Sequence, residues 1–129
     1  MTRPRLFLVI AVLSLGLAGG RVSAEEGAGP YLAGRVASLQ SDYAAAADYF
    51  TRALLVDPTD VSIMENALLA QIGTGNFDKA LTLSKGLNDA GQKSSLADLV
   101  VLASLAKQGQ FEAALAELDN GRSSGVLID

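Results

Sequence analysis

Apolar residues recur at spacings of three and four in six stretches of the chain: residues 31–39, 43–56, 61–72, 77–90, 96–107 and 111–121. That period makes one side of each stretch apolar and predicts six helices. The runs between them are short and polar. Gln40, Ser41 and Asp42, then Thr74, Gly75 and Asn76, then Gln108, Gly109 and Gln110 are turn formers and helix caps. Residues 57–60 and 91–94 supply the other two breaks, where Pro58 stops one helix and Asp60 is placed to cap the next. Ser95 followed by Asp98 reads as a capping box with the shorter carboxylate in place of glutamate.

The pattern has a second, longer period. Tyr43, Phe77 and Phe111 stand 34 residues apart, and each is followed by two variable residues, an alanine and a small or apolar residue. The polar turns ahead of them fall in the same phase. Three in-phase blocks make the six helices three antiparallel hairpins, an all-α fold in which one supersecondary unit is used three times. Small residues at Gly34, Ala46 and Ala53 let helix axes approach, while Tyr43 and Phe50 fill the space between them. The same role is expected of Phe77 and Phe111 in the later units.

In period, helix–turn–helix content and residue types the chain resembles the tetratricopeptide-repeat (TPR) family. The first unit carries the resemblance best, with Gly34, Ala37, Tyr43, Ala46, Phe50, Ala53 and Pro58 in the family's small–large–small spacing and Pro30 where the early tryptophan would stand. The second keeps Phe77 and Ala80 but has Leu68, Ser84 and Gln92 at the glycine, aromatic and proline positions. The third keeps Phe111 and Ala114. The resemblance implies a right-handed superhelical solenoid of three hairpins, in units of about residues 27–60, 61–94 and 95–128. It also implies a concave groove lined by the first helix of each hairpin, which receives an extended or helical protein segment. Tyr31, Arg35, Glu65, Asn66, Leu69, Leu99, Ala103 and Lys107 are the groove-facing candidates. The basic carboxylate clamp of the best-known TPR grooves is not expected, because Leu99 and Ala103 stand where polar clamp residues would be.

Residues 1–24 have the three zones of a secretory signal peptide: Arg3 and Arg5, an apolar run over residues 6–18, and the small side chains of Val22, Ser23 and Ala24. Cleavage is expected between Ala24 and Glu25. The apolar run is too short for the ~20 residues that comfortably span a bilayer, so a retained anchor is the weaker reading. A flexible lead-in over residues 25–29 is then expected, a helical domain over 30–122, and at 123–129 a tail or the start of a further, incomplete unit. The segment fits bacterial export as well as eukaryotic secretion, and the periplasm is the favoured compartment. Removing Arg3, Arg5 and Arg21 from ten basic against fourteen acidic residues takes the net charge from −4 to −7. Such a chain repels nucleic acid. With no cysteine, its stability must come from packing alone.

The absence of both histidine and cysteine removes the usual neutral-pH base, the thiol nucleophile and nearly every zinc or copper site. Ser84–Lys85 and Lys93–Ser94 are adjacent pairs, but the first occupies a packing position and the second a connection. Gly73, Thr74 and Gly75 join two helices and lack the lysine of a phosphate-cradling loop. The expectation is therefore a non-catalytic scaffold without metal or cofactor, whose partner is a protein or peptide in an envelope assembly, secretion or chaperone-like system. An accessory region of a longer enzyme and a self-assembling structural module, associating through the C-terminal unit, are the alternatives.

Overall fold

The structure is a computed structural model that describes residues 22–123. Among these residues it contains six helices and no strand: α1 (Val22–Leu39), α2 (Tyr43–Val56), α3 (Val61–Gly73), α4 (Phe77–Asp89), α5 (Ser95–Lys107) and α6 (Phe111–Ser123). Each helix packs against its neighbours in sequence, and α1 also touches α3.

The turns show why the chain reverses where it does. Asp42 N–H donates to the Ala37 carbonyl at 2.9 Å, Asn76 to Gln71 at 2.9 Å, and Gln110 to Leu105 at 2.9 Å. Donors and acceptors each advance by 34 residues. This bond closes the last turn of a helix and needs a left-handed residue just before the donor. Ser41 (φ 59°), Gly75 (φ 76°) and Gly109 (φ 74°) supply it. The α4–α5 connection closes in the same way, with Gln92 donating to Leu87 at 3.0 Å after Gly91. Where the second helix of a pair begins, Asp42 Oδ1 accepts from Ala45 N at 3.0 Å. Asp60 caps α3 likewise through Ile63 N at 2.9 Å.

Two expectations about helix ends change. Residues 25–29 are helical rather than a flexible lead-in, since α1 begins at Val22 and carries Pro30 inside it. Pro30 forfeits one intrahelical bond, but Gly27 lies against Val56 of α2, so the extra turns have something to pack on. The cap of α5 is Ser94, whose hydroxyl accepts from Ala97 N at 3.4 Å, one residue before the expected Ser95. The expected signal segment over residues 1–21 and the tail at 124–129 lie outside the described residues; Val22, Ser23 and Ala24 form the start of α1.

The core is built from small residues around a few large ones. Ala37, Ala46, Ala47, Phe50, Ala53, Ile63, Ala67 and Ala70 form one buried cluster, and Met64, Leu68, Ala80, Leu87 and Ala97 a second. Phe50 is fully buried because its ring lies on Gly34, where a side chain would collide with it. The second unit reverses the pair. Leu68 replaces the glycine and Ser84 the aromatic, and both are fully buried. The Ser84 hydroxyl donates to the Ala80 carbonyl at 2.9 Å, so this polar side chain is satisfied within its own helix.

The three in-phase aromatics do not share one environment. Tyr43 is 36% exposed, but Phe77 is 60% and Phe111 65% exposed, so neither phenylalanine fills a packing position as expected. The reason lies one helix further on. Tyr43 rests on Gly73, near the end of α3. The residue 34 positions after Gly73 is Lys107, so a side chain stands where Tyr43 meets bare backbone. Phe111 has no following helix among the described residues. Pro58 is likewise exposed, lying in the α2–α3 turn.

A candidate binding cleft

Helices α1 and α3 meet through side chains as well as backbone. The Tyr31 phenol and Ser62 of α3 line one cleft, and Arg35 Nη1 donates to Tyr31 Oη at 3.2 Å. The polar side chains of Ser62, foremost, and then Arg35 favour the phenolate and hold the Tyr31 pKa below its ordinary value, against a smaller opposing effect of burial. The ring also packs on Phe50, centroids 6.0 Å apart and planes tilted by 55°. Tyr31 thus joins the core of the first hairpin to the surface of the second.

Tyr31 borders a cleft of about 500 Å³ that includes Val56, Asp57, Asp60 and Ser62. Its two carboxylates already have work: Asp57 Oδ1 accepts from Thr59 N and Oγ1, each at 3.3 Å, and Asp60 caps α3.

A second cleft, of about 410 Å³, lies where α5 meets α3 and α4. Phe77, Leu81, Leu99 and Ala103 supply much of its apolar wall, with Asp78 and Lys107 as its charged members. Its existence follows from the exchange of Gly73 for Lys107 between units. Between the first and second hairpins the ring of Tyr43 closes onto Gly73; between the second and third, Phe77 stays open beside Lys107. An apolar wall half open to water is the surface on which another chain's apolar side chain gains most, at about 25 cal/mol per Å² buried.

Of the eight groove candidates, the structure brings Leu99, Ala103 and Lys107 together in this second cleft, and places Tyr31 in the first. Arg35 is exposed and bonded to Tyr31. Glu65 and Leu69 are exposed on α3 and line neither cleft. Asn66 is half-buried, its amide donating to the Ser62 carbonyl at 2.7 Å. Phe77 is the wall residue that sequence reasoning assigned to packing. The signal that could have moved it was the lysine 34 residues after Gly73.

Among the described residues, no three His, Cys, Asp or Glu side chains are grouped as a metal site would need. No helix among the described residues is long and apolar enough to cross a membrane. No protein-family model, curated protein or solved structure matches the chain.

Proposed function

We propose that the chain is a non-catalytic binding scaffold of the TPR kind, its three hairpins stacked as a right-handed superhelix, exported to a bacterial periplasm and engaging a segment of another protein. The observation that carries this reading is the cleft walled by Phe77, Leu99 and Ala103 beside Asp78 and Lys107. Its apolar wall suits a large apolar side chain. Its two charged residues of opposite sign favour a segment with polar groups on either side of that residue over a uniformly charged one. The 34-residue recurrence of the turn bonds supports the repeat reading. Cleavage between Ala24 and Glu25 would remove three residues from α1 and leave Tyr31 and Arg35 in place.

A photoreactive phenylalanine analogue at Ala103 tests the proposal in the cell that makes the protein. Specific adducts are expected from Ala103, few from the exposed Lys85, and loss of the Ala103 adducts when Leu99→Glu is added. Equal labelling at Ala103 and Lys85 would count against the cleft, as would adducts indifferent to Leu99→Glu.

A further inference from the structure

The two ends of the helix stack carry an inference independent of the cleft. At the internal junction between α2 and α3, Tyr43 sits on Gly73, and Ala47 is buried in one cluster with Ala70. Sixty-eight residues, two periods, after Tyr43 and Ala47 stand Phe111 and Leu115 of α6. Thirty-four residues before Ala70 and Gly73 stand Val36 and Leu39 of α1. These four are large, apolar and open: Leu115 is 61%, Val36 54% and Leu39 83% exposed, and Phe111 is as open as Leu115. Among the described residues, α6 therefore bears one half of a junction that the fold already makes internally, and α1 bears the other half.

The two faces are of different kinds. One comes from the second helix of a hairpin and the other from the first, and inside the chain each second helix packs on the first helix of the next hairpin, α2 on α3 and α4 on α5. We infer that a second copy of this chain covers them, head to tail, with Phe111 and Leu115 of one copy against Leu39 and Val36 of the next. Such a contact is heterologous and leaves a free face at each end, so it propagates instead of stopping at two. Leucine at position 39, where the internal junction has glycine, keeps the ring of Phe111 from nesting as Tyr43 does. The contact between copies is accordingly looser than the one within the chain.

Two single variants of the full chain, recovered from the producing cell, test this by sedimentation velocity. Leu39→Asp spoils the first-helix face and Phe111→Asp the second-helix face. Both positions are exposed, and unchanged helical circular dichroism checks that each variant folds. The unmodified chain is expected to grow in mass with concentration past two copies, each variant alone to remain a single chain, and an equimolar mixture to form a species of two chains that grows no further. A wild-type chain that stays monomeric up to millimolar concentration overturns the inference. So does a mixture that stays monomeric, or a variant that still pairs with itself, since self-pairing requires a symmetric contact.

Discussion

The ring of Phe50 lies on the backbone of Gly34, so close that a Cβ added there would stand 2.7 Å from Cε1 and 2.9 Å from Cδ1 of the ring. Two helices meet at that point with nothing between their axes but one aromatic face. The second hairpin fills the corresponding space from the other side, with Leu68 on its first helix and Ser84 on its second.

Gly34→Ala is therefore expected to destabilise the protein. Alanine gains about 1 kcal/mol in helix propensity, but overpacking against a fully buried ring costs about 1–3 kcal/mol, and the steric cost wins. In a Phe50→Leu background the obstruction is gone and the sign reverses, so Gly34→Ala stabilises. Urea unfolding of the four chains checks it. A Gly34→Ala effect of the same sign in both backgrounds would sink the account of this contact.

Two phenylalanines that look alike in sequence are expected to differ widely. Phe50→Ala removes a fully buried ring and costs about 3–5 kcal/mol. Phe77→Ala removes a ring that is 60% exposed and costs less than about 1 kcal/mol. Replacing Lys107 with glycine gives Phe77 the seat that Tyr43 has, so the cost of Phe77→Ala rises in that background. Chemical denaturation of the double-mutant cycle measures the change.

Ser41 holds a left-handed backbone with φ 59°, where the two equivalent turns use Gly75 and Gly109. A side chain costs roughly 1–2 kcal/mol in this region, and glycine gives back part of that through its freer unfolded chain. Ser41→Gly is expected to stabilise by about 0.5–1 kcal/mol. A fall in the thermal midpoint would show that the Ser41 side chain makes a compensating contact.

The polar side chains of Ser62 and Arg35 lower the Tyr31 pKa. Lowering it makes the phenolate the favoured partner, so this stabilisation is absent at neutral pH, grows as pH rises past the lowered folded value, and is complete above the unfolded value near 10. Ultraviolet titration with Tyr43 and Tyr49 changed to phenylalanine isolates the group. Ser62→Ala is expected to raise the midpoint most and Arg35→Met less, and an unmoved midpoint in both would remove the α1–α3 link.

Much of the fold could be read from the chain because its determinants are local. Apolar spacing, turn residues at 41, 75 and 109, and the caps Asp42 and Asp60 act within a few residues of where they stand, and five of the six predicted helices fall within one or two residues of their observed bounds. The misplaced start of α1 has a different origin, since its first turns gain a partner only through Gly27 on Val56, a contact across 29 positions of chain. The cleft was half legible. Leu99, Ala103 and Lys107, which the family resemblance put on one face, do line one cleft. Phe77 could not be assigned to it, because its environment is set by the side chain at position 107 rather than by its own block.

Since each helix rests chiefly on those adjacent to it in sequence, nearly every stabilising contact closes only a short loop. A chain wired this way has little loop-closure entropy to overcome, and it folds quickly from whichever hairpin forms first. The same wiring limits how far a disturbance travels. Loosening α6 exposes α5 but leaves Phe50 and its alanine neighbours closed, so amide exchange should be graded along the chain, fastest from α6 and slowest in α2 and α3.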